Sequence, residues 1–192
     1  MNKSKINVGL IGWGTVGTGV SKVLIDSFNL IRQRTGIDLE LLKIADRNVP
    51  TTRKGVDVEP SRLTKYPDEV INDPNIDIVV EMIGGIDYAK DYILRSIANK
   101  KHIVTANKTL LAEHGREIFK AAHENKVSIC FEGSVAGGIP IIKALREGFA
   151  ANQIQAIYGI INGTTNYILT QMSDKGTDYN PALSEAQEKG YA

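Results

Sequence analysis

The sequence predicts an α/β fold whose first part is a doubly wound parallel sheet. Three observations carry this expectation. Strand-like apolar runs alternate with helix-period segments from Ile6 to Glu132, and that alternation lays successive strands parallel through right-handed crossovers on both faces. The run Ile76–Met82 is rich in Ile and Val, as in a strand buried on both sides. Gly12, Gly14 and Gly17 fall in Gly-x-Gly-x-x-Gly spacing directly after the first apolar run and before a helical pattern.

The elements follow in order. The first strand is Ile6–Ile11. Gly12 then permits a tight turn, Gly14 lets a backbone approach a pyrophosphate, and Gly17 lets helix and strand pack closely. This is a Rossmann-type arrangement, with the phosphates placed at the N–H groups and positive dipole end of the first helix. That helix is expected over Thr15–Arg34, stopping before Gly36. A strand at Leu39–Ala45 ends at Asp46, and a polar loop with Pro50, Gly55 and Pro60 follows. Pro67–Asn72 reads as a short helix, Ile76–Met82 as a strand and Tyr88–Asn99 as a helix. His102–Thr105 is a short strand, Leu110–Asn125 a helix and Val127–Glu132 a further strand. The pattern changes near Ser134, so a dinucleotide-binding domain is expected over 1–134 and a second region over 135–192. That region opens on the turn Val135–Pro140 and a helix to about Phe149. A strand over Ile154–Ile161, a cap at Asn162–Asn166, and helices at Tyr167–Ser173 and Pro181–Lys189 complete it. It is too short for a comfortable core of its own.

Composition narrows the function classes. The chain has 192 residues, 42% hydrophobic and 23% charged, with a formal net charge of +1, which argues against a broad electrostatic footprint for nucleic acid. No apolar stretch approaches the roughly 18 residues of a membrane span. The polar Met1–Lys5 runs straight into the first strand without a signal-peptide pattern, and the one cysteine, Cys130, fits a reducing cytoplasm. Cys130 lies in the apolar run Val127–Phe131 and is expected to be a small buried hydrophobe.

Candidate chemistry gathers at strand ends, where open α/β sheets bind ligands. Asp46 ends the second strand, where an acidic residue holds an adenosine ribose; Arg47, with Arg53 and Lys54 beyond it, suits a 2′-phosphate. The choice between NAD and NADP stays open at this point. Glu81-Met82-Ile83-Gly84-Gly85, Thr105-Ala106-Asn107-Lys108 and Glu132-Gly133-Ser134 end three later strands on the same edge, so Ile83 and Gly84 are placed where a nicotinamide would lie. A lysine such as Lys108 can act as acid or base, or fix an alcohol oxygen electrostatically.

These residues carry a resemblance. In family order, Gly9–Gly19, Glu81–Gly85, Val104–Lys108, Glu132–Pro140, Gly159–Leu169 and Glu185–Ala192 resemble homoserine dehydrogenases over nearly the whole chain. The resemblance implies NAD- or NADP-dependent interconversion of L-homoserine and L-aspartate 4-semialdehyde in amino-acid biosynthesis. It implies cofactor contacts from Trp13, Thr15 and Val16, and it places Lys108 between nicotinamide and substrate as one of two family lysines. Gly163, Thr164, Thr165 and Asn166 would line the substrate side. A monovalent cation, usually sodium, would take carbonyls of Glu132, Val135, Gly137 and Ile139. The chain stops at Gly190-Tyr191-Ala192 inside a family segment, before the family's substrate glutamate and second lysine. An incomplete α+β substrate and dimerisation domain is therefore expected, with dinucleotide binding, little turnover, exposed apolar surface, and a homodimer in the intact protein. A non-catalytic dinucleotide module on the same fold is the competing reading, and the Thr105–Lys108 block weighs against it. A different amino-acid or aldehyde dehydrogenase is the third, and the Asn162–Leu169 block weighs against that.

Overall fold

The computed structural model describes residues 4–48, 52–53, 55–160 and 162–192. Strand β1 (Lys5–Ile11) runs into helices α1 (Thr15–Asp26) and α2 (Phe28–Thr35), then β2 (Asp38–Ala45). A small antiparallel pair, β3 (Thr52–Arg53) and β4 (Val56–Asp57), precedes β5 (Leu63–Thr64) and α3 (Asp68–Ile71). Then come β6 (Ile78–Glu81), α4 (Asp87–Ala98), β7 (His102–Thr105), α5 (Lys108–Asn125) and β8 (Ile129–Cys130). The main sheet has six strands in the order β5-β2-β1-β6-β7-β8, every pair parallel. The chain winds outward from β1 through β2 to β5, then returns to the other side of β1 for β6, β7 and β8. The switch point therefore lies between β1 and β6, where an α/β sheet opens its crevice.

Alternation along the central strands divides the core in two. Val8 and Leu10 of β1, Leu41 and Ile44 of β2, and Val80 of β6 pack with Val20 and Leu24 of α1. Ile11, Val79 and Ile103 face Val70 and Ile71 of α3, Ile93 and Ile97 of α4, and Ile118 of α5. The same alternation sends successive residues to opposite faces of any strand. At the N-terminal rim, Lys101 is nearly fully buried and donates to the carbonyls of Asp73 and Ile76, the latter at 2.8 Å. Burial pushes its pKa down, against the opposing pull of Asp73 and Asp77.

Contacts divide the chain into residues 1–137 and 138–192, three residues beyond the expected change at Ser134. The second unit holds α6 (Ile141–Lys143), continued by a wider i→i+5 turn over Ala144–Gly148, then α7 (Gly163–Lys175) and α8 (Tyr179–Glu188). Ile168, Ala182 and Ala186 form its small core, backed by Tyr167 and Leu183. No helix among the described residues is long and apolar enough to cross a membrane.

Four expectations are corrected. The expected helix Thr15–Arg34 is two helices, because Ser27 leaves helical geometry (φ −99°, ψ 11°) while its N–H caps the Val23 carbonyl. Helix α2 buries no residue that would hold the two in line. The strand expected over Val127–Glu132 shrinks to Ile129–Cys130, because β8 is the sheet edge and pairs with β7 alone. Cys130 is accordingly exposed: on this edge strand Ile129 turns inward and its neighbour faces out. The strand expected over Ile154–Ile161 does not form across 154–160; Ile161 lies outside the described residues. Sheet hydrogen bonds need a neighbouring strand, and no second-unit strand exists among the described residues.

Candidate functional site

The glycine turn is locked by close approaches. A Cβ on Gly17 would lie 2.0 Å from the Gly12 carbonyl oxygen, so α1 sits against the turn only because residue 17 is glycine. Gly12 adopts φ +97°, and a Cβ there would lie 2.6–2.7 Å from the Met82–Ile83 peptide, so the ends of β1 and β6 touch through backbone. Gly14 differs: a Cβ there would meet nothing within 4 Å. The protein's own packing does not require glycine at 14, which leaves room for a ligand's approach. Thr15 and Val16 are exposed at the start of α1, where the first N–H groups lack intrahelical acceptors.

A cleft of about 840 Å³ opens at this switch point. It is lined by Gly12, Gly14 and the turn Met82–Ile86. Asp46, Arg47 and Lys65 also line it, the Asp46 N–H donating to the Thr64 carbonyl beside Lys65, as do Tyr88 and Tyr92. Gly12, Gly14, Asp46, Arg47, Ile83 and Gly84 are thus brought together as the strand ends implied. Lys65, Pro67, Tyr88 and Tyr92 were not legible as site residues. Lys65 and Pro67 arrive through β5 pairing beside β2, a two-residue strand with no periodicity to read, and Tyr88 and Tyr92 through the placement of α4.

The acidic residue at the end of β2 is engaged within the protein. One Asp46 carboxylate oxygen accepts the Trp13 backbone N–H at 2.5 Å, and the other accepts the Asn48 N–H at 2.9 Å. The Arg47 guanidinium lies over the Tyr88 ring, 5.6 Å from its centroid. Arg53 donates to the Asn48 carbonyl at 2.9 Å and covers the Trp13 ring; Lys54 lies outside the described residues. Trp13 is itself fully buried, its indole N–H donating to Ser21 Oγ at 2.9 Å. Its side chain packs in the core with Val20 and Leu24 of α1 and is not among the residues lining the cleft.

Two further strand ends meet the turn Ile83–Gly85. Glu81, fully buried at the end of β6, accepts the Ile83 and Gly84 N–H groups on one oxygen and the Thr105 hydroxyl on the other. Asn107 caps α5 by accepting the Leu110 N–H at 3.1 Å and donates to the Gly85 carbonyl at 2.6 Å. Lys108 is the first residue of α5 and not part of a loop. It is exposed, with no side-chain hydrogen bond or ion pair among the described residues, and it stands outside the residues lining the cleft.

In the second unit, Asn162 caps α7 by accepting the Thr165 N–H at 2.8 Å, so Gly163–Asn166 form the first helical turn. Gly163 and Asn166 line a hollow of about 310 Å³ with Tyr167, Thr170 and Tyr191. Glu132 lies in a 3-10 turn, and its carbonyl accepts the Val135 N–H at 3.3 Å. The Ile139 carbonyl accepts the Ile141 N–H at 2.8 Å, and Ala136 and Gly138 adopt positive φ, which re-aims successive carbonyls.

Comparisons with known proteins agree with this geometry. Residues 12–132 match the family described as "Homoserine dehydrogenase, NAD binding domain", and residues 140–192 match "Homoserine dehydrogenase". The homoserine dehydrogenase of Neisseria gonorrhoeae is 48% identical over 188 residues, covering 97% of this chain and 42% of that protein. That of Bacillus subtilis is 43% identical, covering 97% of this chain and 43% of its own length. The crystal structure of a homoserine dehydrogenase from Thiobacillus denitrificans superposes with a TM-score of 0.83 at 48% identity, over 98% of this chain and 43% of that one. A hyperthermophilic archaeal homoserine dehydrogenase in complex with NADPH gives a TM-score of 0.75 at 25% identity, over 97% of this chain and 62% of that one. The chain thus spans less than half the length of the curated relatives it matches. Its first unit is a nicotinamide-dinucleotide-binding domain, and the chain belongs to the homoserine dehydrogenase family.

Proposed function

We propose that the protein interconverts L-homoserine and L-aspartate 4-semialdehyde, and that it prefers NADP(H) over NAD(H). The observation that carries the reading is the cleft at the β1–β6 switch point, with its open approach at Gly14 and three further strand ends on the same rim. The dinucleotide, when bound, supplies or accepts the hydride. The glycine turn and the start of α1 hold its phosphates. The turn at Ile83–Gly84 supports the nicotinamide end. The Lys108 ammonium stabilises negative charge developing on the aldehyde oxygen during reduction. Gly163–Asn166 serve the substrate, and the backbone carbonyls of Glu132, Val135, Gly137 and Ile139 suit a hard monovalent cation. A homodimer of the intact protein, acting in the cytoplasm on this small substrate, belongs to the same reading, with no nucleic-acid or membrane partner.

The cofactor preference follows from Asp46. Its two oxygens already accept backbone N–H groups from Trp13 and Asn48, whereas Arg47 and Lys65 bring two cations to the same end of the cleft. A 2′-phosphate gains charge-assisted hydrogen bonds there. Calorimetry of this chain with NADPH beside NADH tests it. NADPH should bind about tenfold more tightly, roughly 1.4 kcal/mol, and Arg47→Ala should erase most of the difference. Equal or tighter NADH binding would mean that Asp46 gives up Trp13 for the ribose.

A further inference from the structure

We infer that Glu81 is a positioning residue that sets the nicotinamide-side turn and the start of the Lys108 helix in one register. The inference rests on the proposed role of Lys108 and adds to it what holds that lysine in place. Ile11, Glu81 and Thr105 are lateral neighbours on the C-terminal rim, paired in register across β1, β6 and β7. Glu81 is 0% exposed, and the described residues give it no cationic partner. All the groups that face it are donors. One oxygen accepts the Ile83 N–H at 2.8 Å and the Gly84 N–H at 3.3 Å; the other accepts the Thr105 hydroxyl at 2.7 Å.

The chain of donors has a fixed direction. The Thr105 oxygen accepts the Asn107 N–H at 3.0 Å, so its single proton is free to point at Glu81. Asn107 in turn caps α5 and ties its amide to the Gly85 carbonyl. Ile83, held by Glu81, is also the residue whose amide nitrogen packs on Gly12. One buried carboxylate therefore joins the glycine turn, the turn Ile83–Gly85 and the cap before Lys108. Burying a charge-bearing group is costly unless it is well hydrogen-bonded, and an apolar residue here would leave the Ile83 and Gly84 N–H groups and the Thr105 hydroxyl without an acceptor. Glutamine cannot replace it: turned one way, its NH₂ meets the Ile83 and Gly84 N–H groups; turned the other, it meets Thr105 and strands the hydroxyl proton.

The test has two readouts. Amide hydrogen exchange on this chain should show Glu81→Gln releasing not only Ile83 and Gly84 but also Leu110, which Glu81 does not touch. Thr105→Val should release the same set, and Thr105→Ser should restore protection. Release confined to Ile83 and Gly84, with Leu110 unchanged, overturns the inference. In the full-length protein, Glu81→Gln should lower kcat by ten- to a hundredfold, the scale of a misplaced catalytic group. In a Lys108→Ala background the same change should cost less than threefold. An undiminished cost there also overturns it. If Lys108→Ala leaves kcat unchanged, the proposed role of Lys108 falls instead, while the exchange result still judges the register. Should Glu81→Gln fail to fold, Thr105→Val decides at the other end of the network: release of Ile83 and Gly84, restored by Thr105→Ser, supports the inference, and release confined to Asn107 and Leu110 overturns it.

Discussion

Residues 4–137 and residues 138–192 differ in how far each completes its own interior. The first unit buries both faces of a six-stranded sheet, with Leu10, Ile11, Ile44, Val79 and Ile103 shielded by helices on either side. Among its described residues the second has three buried apolar ones, two of them alanines, and leaves Ile154, Ile157, Tyr158 and Ile160 uncovered. Tyr158 is 94% exposed. A parallel sheet satisfies every central backbone group within itself, whereas a packed pair of short helices preceded by an irregular segment buries too little apolar area to offset chain entropy. The comparison teaches that this chain holds one self-sufficient fold and one dependent on what covers it.

Separating the two units gives the largest expected effect. Residues 1–137 expressed alone should keep a cooperative thermal transition and bind dinucleotide within about threefold of the whole chain. Residues 138–192 alone should show no cooperative melting by circular dichroism, their helices being too short to persist without packing. A cooperative transition in the shorter piece would break the comparison.

Lys101 sharpens it from within the first unit. Only a tight interior holds a buried ammonium on two carbonyls, and its pKa is lowered from the ordinary 10.5 by desolvation, with Asp73 and Asp77 opposing. Between that lowered value and 10.5 the folded state binds fewer protons than the unfolded chain, so stability rises with pH across the window. Lys101→Met should flatten that rise. Near neutral pH it should cost about 1–2 kcal/mol, since two buried carbonyls lose their donor. Urea melts of both proteins at several pH values measure this. An unchanged slope would mean that the ammonium is solvated.

The same contrast governs what the sequence revealed. Order and type of the first unit's longer elements were legible because apolar periodicity records a core that the chain itself builds: His102–Thr105 agrees to the residue. The stretch expected as a polar loop after Asp46 instead carries the two-residue strands β3, β4 and β5, too short to show a period. The glycine spacing located the cleft because each close approach excludes a side chain. What escaped notice depends on lateral neighbours. Lys65 and Tyr88 reach the cleft through the pairing of β5 with β2 and the placement of α4, which no local pattern encodes. The engagement of Asp46 with Trp13 spans two strand ends, and Glu81 stood out only as part of the strand-end segment Glu81–Gly85. Cys130 was misjudged because an apolar run does not say that its strand is an edge. The expected strand at Ile154–Ile161 has the composition of a strand but no partner to pair with.

That segment supplies the smallest expected effect. Ile157 is 67% exposed, and the described residues around it form no strand or helix. Ile157→Ser removes apolar surface that already faces water, so the stability of this chain should change by no more than about 0.5 kcal/mol. The thermal midpoint should move by a degree or two and be the same at dilute and concentrated protein. A loss several times larger, or one that grows with protein concentration, would show that the segment is covered in solution by a second copy. The second unit would then complete its interior by association, since an unpaired apolar segment gains both strand hydrogen bonds and burial from a neighbour. A null result would leave 154–160 as exposed surface in this chain.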